Sequence, residues 1–190
     1  SVVRHKGEHF RLESAKLYTR PPDEARVPIY VATAGPLNAK KTGRFADGMI
    51  TAGAADEKIG MLWERFADGA REAGRDPATM PKLLQVHISW APTDEEAAEN
   101  AVREWPNGGM PFPKQDIRNP EDFAAMARMV RPEDFRNRVL VSSDLTIHAA
   151  NIQHYVDMGF DEIHVHNVGR NQAAFIEAFG KDVLPALDLG

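Results

Sequence analysis

The stretch Val27-Pro28-Ile29-Tyr30-Val31-Ala32-Thr33-Ala34-Gly35-Pro36 indicates the fold class. Residues 27–32 form a continuous apolar run, which is typical of a strand buried on both faces of a parallel sheet. Gly35-Pro36 ends that run, and proline suits the first position of a helix because its missing N–H is not needed there. The stretch therefore predicts a strand, a tight turn and a helix over residues 37–46.

Strands and helices alternate along the rest of the chain. Further strands are predicted at residues 49–52, 83–91 and 162–167, with a short extended piece at 138–142. Helices are predicted at residues 56–73, 93–103, 119–130, 144–158 and 171–184. This alternation predicts parallel strands joined by right-handed crossovers, as in a doubly wound sheet or a (β/α)8 barrel. A complete barrel takes about 250 residues, so four principal strands amount to half a barrel or a small open sheet.

Two segments depart from the alternation. Residues 1–26 are predicted to be a peripheral lead-in hairpin, with alternating residues 7–12 as a short strand and Pro21-Pro22-Asp23 as a turn. Residues 105–119 contain three prolines and two glycines and are predicted to be a long loop inserted in the domain. Long loops in compact domains are usually functional or mobile.

Composition sets limits on the class of protein. A chain of 190 residues favours one domain, residues 1–190, and the net charge of −5 predicts no nucleic-acid partner. Cysteine is absent, which excludes disulfides and cysteine nucleophiles. No apolar run reaches the roughly 18 residues of a membrane span, so we expect no membrane partner and a cytoplasmic protein. The chain starts at Ser1 rather than at methionine, and we keep a piece of a longer protein as one expectation.

Three groups of residues are candidates for chemistry. Ala34 and Gly35 precede a predicted helix N-terminus, where free N–H groups can bind an anion, although a plain turn fits these residues equally well. Lys114 and Arg138 lie outside regular helical faces and could hold a phosphate or carboxylate, but two solvated cations are the simpler interpretation.

The histidines form the third group. His164 and His166 lie two apart on one predicted strand and therefore share a face. A metal site would need a third ligand, and only Glu162 has the right parity, so packed polar groups in a barrel interior are the favoured interpretation, also for His87. We predict no metal site.

The sequence resembles the bacterial luciferase-like superfamily, in the branch that uses the deazaflavin coenzyme F420. The matching motifs follow in order: GEHFRLESAKLYTRP from Gly7, the stretch VPIYVATAGPLNAKKTGRFADGMITAG from Val27, VSSD from Val141 and FGKDVLPAL from Phe179. Within that branch it is similar to the F420-dependent glucose-6-phosphate dehydrogenases, over their C-terminal half only.

The resemblance implies the C-terminal half of a luciferase-like (β/α)8 barrel, usually dimeric, and hydride transfer between the deazaflavin and a hydroxyl-bearing carbon. It implies coenzyme contacts at Ala34, Gly35, Leu37 and Asn38, and it matches Lys114 and Arg138 to the pair that holds a sugar phosphate. A threonine and a lysine of the family's phosphate pocket correspond to Ala52 and Ala55 here, which argues against glucose 6-phosphate itself.

The same comparison leaves three alternatives open. The family's acid–base residues lie in the N-terminal half, which this chain does not match, so we assign no catalytic residue and expect the isolated chain to be inactive. An FMN-dependent luciferase-like monooxygenase is the second enzyme candidate. A non-catalytic half-barrel that binds a phosphorylated ligand is the third. Because an open half-barrel exposes strand edges, we expect a homo-oligomer or a missing N-terminal half as the partner.

Overall fold

The computed structural model describes residues 2–19, 26–112, 114 and 116–190. The strands are β1 (Val3–Lys6), β2 (Arg11–Ala15), β3 (Tyr30–Ala32), β4 (Gly48–Ala52), β5 (Lys82–Ser89), β6 (Leu140–Val141) and β7 (Glu162–Asn167). The α-helices are α1 (Pro36–Gly43), α2 (Asp56–Glu72), α3 (Asp94–Glu104), α4 (Pro106–Gly109), α5 (Pro120–Ala127), α6 (Leu145–Asp157) and α7 (Gln172–Ala178). Short 3₁₀ turns lie at Pro77–Thr79, Pro132–Phe135 and Leu184–Ala186, and a π-helical turn at Phe179–Val183 follows α7.

Five parallel strands form one sheet, with β5 at its centre. Along one edge, β5 pairs with β7 from Leu83 to Ile88. Along the other edge it pairs first with β4, up to Gln85, and then with β6, from Ile88. Ile88 pairs with both β6 and β7, so these two strands must lie on opposite edges. β3 pairs with β4 at the far side of the sheet, and within the described residues the sheet does not close. The predicted α/β class, with parallel strands and helices in a half-barrel, is confirmed.

The two faces of the sheet differ in character. Apolar residues of one face, among them Met49, Leu84, Val86 and Ile88, pack with the helices in the hydrophobic core. Alternate residues point the other way. In the register of the sheet, Ala52 lies beside Gln85, Gln85 beside His164 and His87 beside His166. These residues form the inner face, on which Gln85 and His164 are exposed and His87 and His166 are half-buried.

Helices α1 and α2 approach each other closely through two glycines. A Cβ atom on Gly69 would lie 1.8 Å from the carbonyl oxygen of Lys40, and one on Gly43 would lie 2.0 Å from that of Phe66. No side chain fits at these distances, so glycine is required at both positions. The contact fixes α1, and with it the turn at its N-terminus, against the rest of the sheet.

The predicted burial of residues 27–32 is wrong. Only Tyr30–Ala32 forms a strand, and Val27, Ile29 and Tyr30 are 60%, 56% and 42% exposed. β3 is the edge strand of this sheet, and Tyr30 and Ala32, which lie on its inner face beside Gly48 and Ile50, are both exposed. The apolar run correctly indicates a barrel strand, but the covering layer that the run implies is not among the described residues.

The lead-in and the long loop also differ from the sequence prediction in detail. β1 and β2 form an antiparallel hairpin, but residues 7–10, which were predicted as part of a strand, make its turn: Gly7 N donates to Phe10 O at 2.8 Å. The predicted turn at Pro21-Pro22-Asp23 lies outside the described residues. The predicted loop over residues 105–119 includes the short helix α4. No helix in the described residues has the length and apolar character needed to cross a bilayer.

An amide network joins the carboxyl ends of β5 and β7. The side-chain oxygen of Asn167 accepts from the backbone N–H of Trp90 at 2.9 Å, and its amide donates to Asn171 Oδ1 at 3.1 Å. Asn171 Nδ2 in turn donates to the carbonyl oxygen of Trp90 at 3.0 Å. Asn167 is 1% exposed, so these bonds satisfy backbone groups that water does not reach.

Replacement of Asn167 by alanine should lower the free energy of unfolding by about 1–3 kcal/mol, because the Trp90 N–H then stays buried without an acceptor. Chemical denaturation measures the change. Asn38→Ala is the matched control: Asn38 is exposed on α1, and its loss should change stability by less than about 0.5 kcal/mol. Equal effects of both substitutions would show that the network contributes nothing.

Candidate functional site

A cavity of about 1040 Å³ opens where the edge of β5 is uncovered. β4 stops pairing at Gln85 and β6 begins at Ile88, so among the described residues no strand lies beside Val86 and His87 on that edge. Both residues line the cavity, together with Gly53, Ala54 and Ala55 after β4. Sites in open parallel sheets form at the carboxyl ends of strands, and this cavity has that position.

The cavity wall carries charges of both signs. Arg136 and Arg138 precede β6, Asp94 begins α3, and Glu133 lies in the 3₁₀ turn before them. Arg138 is exposed, and its Nη1 donates to the carbonyl oxygen of Met110 at 3.2 Å. Asn151 and Tyr155 of α6 complete the polar part of the wall. Two guanidinium groups and two carboxylates are in the lining, which therefore has no large net charge.

Two histidines share a hydrogen bond at the inner end of this cavity. His87 Nδ1 and His166 Nδ1 lie 2.9 Å apart, on neighbouring strands. Trp105 packs against both rings, with centroid distances of 4.9 Å to His87 and 5.1 Å to His166. Burial lowers the pKa of His87 below its ordinary value of 6.5, and the nearby His166 lowers it further. His87 is therefore a neutral imidazole at neutral pH.

The turn between β3 and α1 lies, like the cavity, at the carboxyl ends of the parallel strands. Gly35 caps α1 in extended conformation (φ −123°, ψ 139°) without a side-chain capping bond. A Cβ atom on Gly35 would meet nothing within 4 Å, so the backbone is open to close approach. Ala34, Leu37 and Asn38 are exposed around it. The first N–H groups of a helix have no partner within the helix and can bind an anion.

The structure brings some of the predicted site residues together and leaves one apart. Arg138 and Ala55 line the same cavity. Lys114 is half-buried in the segment before α5 and, within the described part of the chain, does not line that cavity. Ala52 lies on the inner face next to Gln85. The two alanines offer no polar side-chain atom to a ligand.

His164 and Glu162, which share a face of β7, lie close to each other. His164 Nε2 lies 3.5 Å from Glu162 Oε2, and both side chains are about half exposed. No group of three or more His, Asp or Glu residues in the described ranges is arranged to hold a metal ion. This exposed contact on the inner face is an ion pair only when His164 is protonated, and exposed pairs of this kind contribute little to stability.

Sequence reasoning missed the pairing of His87 with His166. The spacing of His164 and His166 indicates a shared face, but only the register of β5 and β7 shows which of them meets His87. The sequence predicts Trp105 in a loop, and nothing in it indicates that this side chain packs against both rings. Asn151 and Tyr155 were missed for a similar reason, because α6 has no distinguishing motif on that side.

Comparisons with known proteins give a consistent result. The family model described as luciferase-like monooxygenase matches residues 1–162. An F420-dependent glucose-6-phosphate dehydrogenase of Rhodococcus erythropolis is 35% identical over 188 residues, which are 97% of this chain and 55% of the relative. One from Microbacterium testaceum is 31% identical over the same shares. This chain spans about half the length of these curated relatives.

Two solved structures share the fold. An F420-dependent secondary alcohol dehydrogenase in complex with an F420–acetone adduct superposes with a TM-score of 0.80 at 29% identity, over 98% of this chain and 56% of the other. The F420-dependent tetrahydromethanopterin reductase of Methanopyrus kandleri superposes with a TM-score of 0.71 at 18% identity, which shows the fold alone.

The lowered pKa of His87 gives a measurable pH dependence. In an NMR titration of the imidazoles, His87 should change charge below pH 6.5, the ordinary value, because burial resists the proton. The unfolded chain accepts that proton near 6.5, so this residue makes the free energy of unfolding fall as the pH drops below that value. A midpoint for His87 at or above 6.5 would contradict the burial argument.

Proposed function

This chain belongs to the luciferase-like monooxygenase family, and we propose that within this family it is the C-terminal part of an F420-dependent oxidoreductase. The reaction is hydride transfer between the deazaflavin and the hydroxyl-bearing carbon of a small substrate, either a sugar phosphate or another alcohol. The similarity to F420-dependent dehydrogenases along almost the whole chain supports this proposal.

One observation carries the proposal. The open turn at Gly35 and the cavity beside Arg138 both lie at the carboxyl ends of strands in one parallel sheet. Gly35 follows β3, and Gly53–Ala55 follows the adjacent β4. An oxidoreductase must hold its coenzyme and its substrate next to each other. Two neighbouring strand ends provide both positions on a rigid support.

The coenzyme position in this proposal is the N-terminus of α1. The coenzyme F420, when bound, supplies the ring carbon that takes up or gives back the hydride. The chain's part is to hold its phosphate: the backbone N–H groups of Leu37 and Asn38 donate, and Gly35 leaves space for the phosphate to approach. Exposed Ala34 lies next to the same position.

The substrate position in this proposal is the cavity between β4 and β6. Arg138 offers a guanidinium to an acidic substituent of the substrate. Lys114 lies outside the cavity lining and offers an ammonium only to a substituent that extends beyond the cavity toward the segment before α5. Ala52 and Ala55 add no polar contact. An acidic substrate is therefore held by fewer charged hydrogen bonds than a pocket with a threonine and a lysine at these positions would provide, each worth about 1.5–3 kcal/mol.

We propose further that turnover requires a covered inner face. Gln85 and His164 of the inner face and Tyr30 of β3 are exposed in this chain, and hydride transfer needs a site from which water is excluded. Additional β/α units or a second copy of the chain would cover this face. The isolated 190 residues then bind ligands but do not turn over.

Gly35→Ala tests the coenzyme position. The added methyl group meets no protein atom within 4 Å, so the fold should be unchanged, while a bound phosphate loses its close approach to the backbone. We expect F420 affinity, measured by fluorescence titration, to fall about tenfold, which corresponds to about 1.4 kcal/mol.

Gly60→Ala is the matched control for this experiment. Gly60 lies in α2, and its added Cβ also meets nothing within 4 Å. F420 affinity should be the same as in the unsubstituted chain. If Gly35→Ala binds F420 as tightly as Gly60→Ala does, the coenzyme does not approach this turn. If the unsubstituted chain binds no F420 at all, the proposed function is wrong.

Arg138→Ala and Lys114→Ala test the substrate position. Each should weaken the binding of glucose 6-phosphate about tenfold, through the loss of one charged hydrogen bond, and leave the binding of glucose unchanged. Calorimetry with both sugars measures the difference. The control is Arg131→Ala, an exposed arginine outside the cavity. If the phosphate-dependent affinity is insensitive to Arg138 and Lys114, both side chains are simply solvated.

A further inference from the structure

One nitrogen of the histidine pair is available to a ligand. His87 Nδ1 is engaged with His166, which leaves Nε2 as the free nitrogen of the ring. Within the described residues Nε2 has no hydrogen-bond partner, and it is not among the polar atoms that are both buried and unpaired. It therefore has accessible surface. His87 is among the residues that line the cavity, and Nε2 is the ring nitrogen that the described residues leave for a ligand there.

We propose that His87 binds the reacting oxygen of the substrate, either a secondary hydroxyl or the carbonyl formed from it. His166 and Trp105 are positioning residues that hold the His87 ring. This inference rests on the proposed function for the reaction that takes place, and on the cavity geometry for the place of binding.

The histidine pair suits both forms of such a substrate. A neutral pair joined through its two Nδ1 atoms has two tautomeric arrangements, because either ring can be the donor. When His87 donates from Nδ1, its Nε2 accepts a hydrogen bond from a hydroxyl. When His166 donates, His87 carries its proton on Nε2 and donates to a carbonyl oxygen. A charged imidazolium could only donate, so the low pKa of His87 supports this role.

The ring is held well enough to orient a ligand. Trp105 lies tilted by 31° against His87 and nearly perpendicular, at 79°, to His166. The hydrogen bond between the two Nδ1 atoms restricts rotation of each imidazole about its bond to Cβ. Since the rings cannot turn freely, Nε2 keeps one direction, and a bound oxygen is fixed relative to the strand ends.

The surrounding charges indicate the substrate class. Asp94 and Glu133 match Arg136 and Arg138 in number in the cavity wall, and His87 is neutral, so the lining as a whole has no net charge that would favour an ionic substrate. A small uncharged alcohol or ketone function fits this position. An acidic group, where the substrate has one, is held at Arg138 instead.

Two substitutions of one residue separate binding from packing. The amide of His87→Asn reaches the position of Nδ1 and keeps a partner for His166, but it leaves nothing at Nε2. The longer amide of His87→Gln reaches the position of Nε2 and keeps a donor and an acceptor there. A role in packing alone predicts that asparagine is tolerated at least as well as glutamine, and a role in binding predicts the reverse order.

The probes are propan-2-ol and acetone, titrated separately into the chain and followed by the amide NMR shifts of Gly53 and Val86, which line the cavity. We expect His87→Asn to weaken the binding of both probes about tenfold, and His87→Gln to restore most of the loss. The proposal is overturned if neither probe binds the unsubstituted chain, if His87→Asn binds as well as the unsubstituted chain, or if the two variants lose affinity equally.

F420 titration of the same variants separates this inference from the proposed function. Coenzyme affinity should be unchanged in His87→Asn, since the coenzyme phosphate lies at α1. If the probes depend on His87 while F420 binds none of the chains, the proposed function is wrong and the oxygen-binding role of His87 stands. If F420 binds and the affinity of the probes does not depend on His87, the proposed function stands and the oxygen-binding role of His87 is wrong.

Discussion

The hydrogen bonds along the two edges of β5 are the constraint on which the rest of the structure depends. One edge is paired with β7 from Leu83 to Ile88, and the other is shared by β4 and β6. Since a strand has only one row of donors and acceptors on each edge, β6 can pair only beyond the point where β4 ends. The chain must therefore cross over β5 through α6 to reach β7 on the opposite side. This sharing leaves two residues of β5 uncovered, and the cavity lies there.

The position of the cavity follows from strand length rather than from any special loop. Had β4 continued beyond Ala52, its backbone would have covered Val86 and His87. The chain turns away instead at Gly53, whose backbone N–H donates to the carbonyl oxygen of Gln85 at 2.9 Å. Tyr155 of α6 packs close by: a Cβ on Gly53 would meet its hydroxyl at 3.4 Å. The wall of the site is thus fixed by the same contacts that end the strand.

The sequence predicts the strands and helices of this fold well, but it predicts poorly which of them lie next to each other. The strand at residues 162–167 and the helix from Asp56 are found where apolar periodicity places them, because both patterns report local contact with one core. The apolar pattern of residues 27–32 cannot show that this strand lies at an exposed edge of the sheet, because its exposure depends on which other elements pack against it. The open turn at Gly35 could be predicted from its residues. The meeting of His87, His166 and Trp105 could not, because it depends on the register between strands and on a tryptophan 18 positions after His87.

The inner face changes character along the strands, and this separates stability from chemistry. Toward the amino ends it carries Ile50 and Leu83, which lie side by side. Toward the carboxyl ends it carries polar residues: Gln85 lies beside His164, and His87 lies beside His166. Barrel interiors are usually filled with bulky branched residues, whereas function concentrates at the carboxyl ends of the strands. Polar residues that replace such packing reduce the apolar area available for burial, so their presence here requires another reason. The proposed ligand oxygen at His87 provides one, and it would lie beside the part of β5 that neither β4 nor β6 covers.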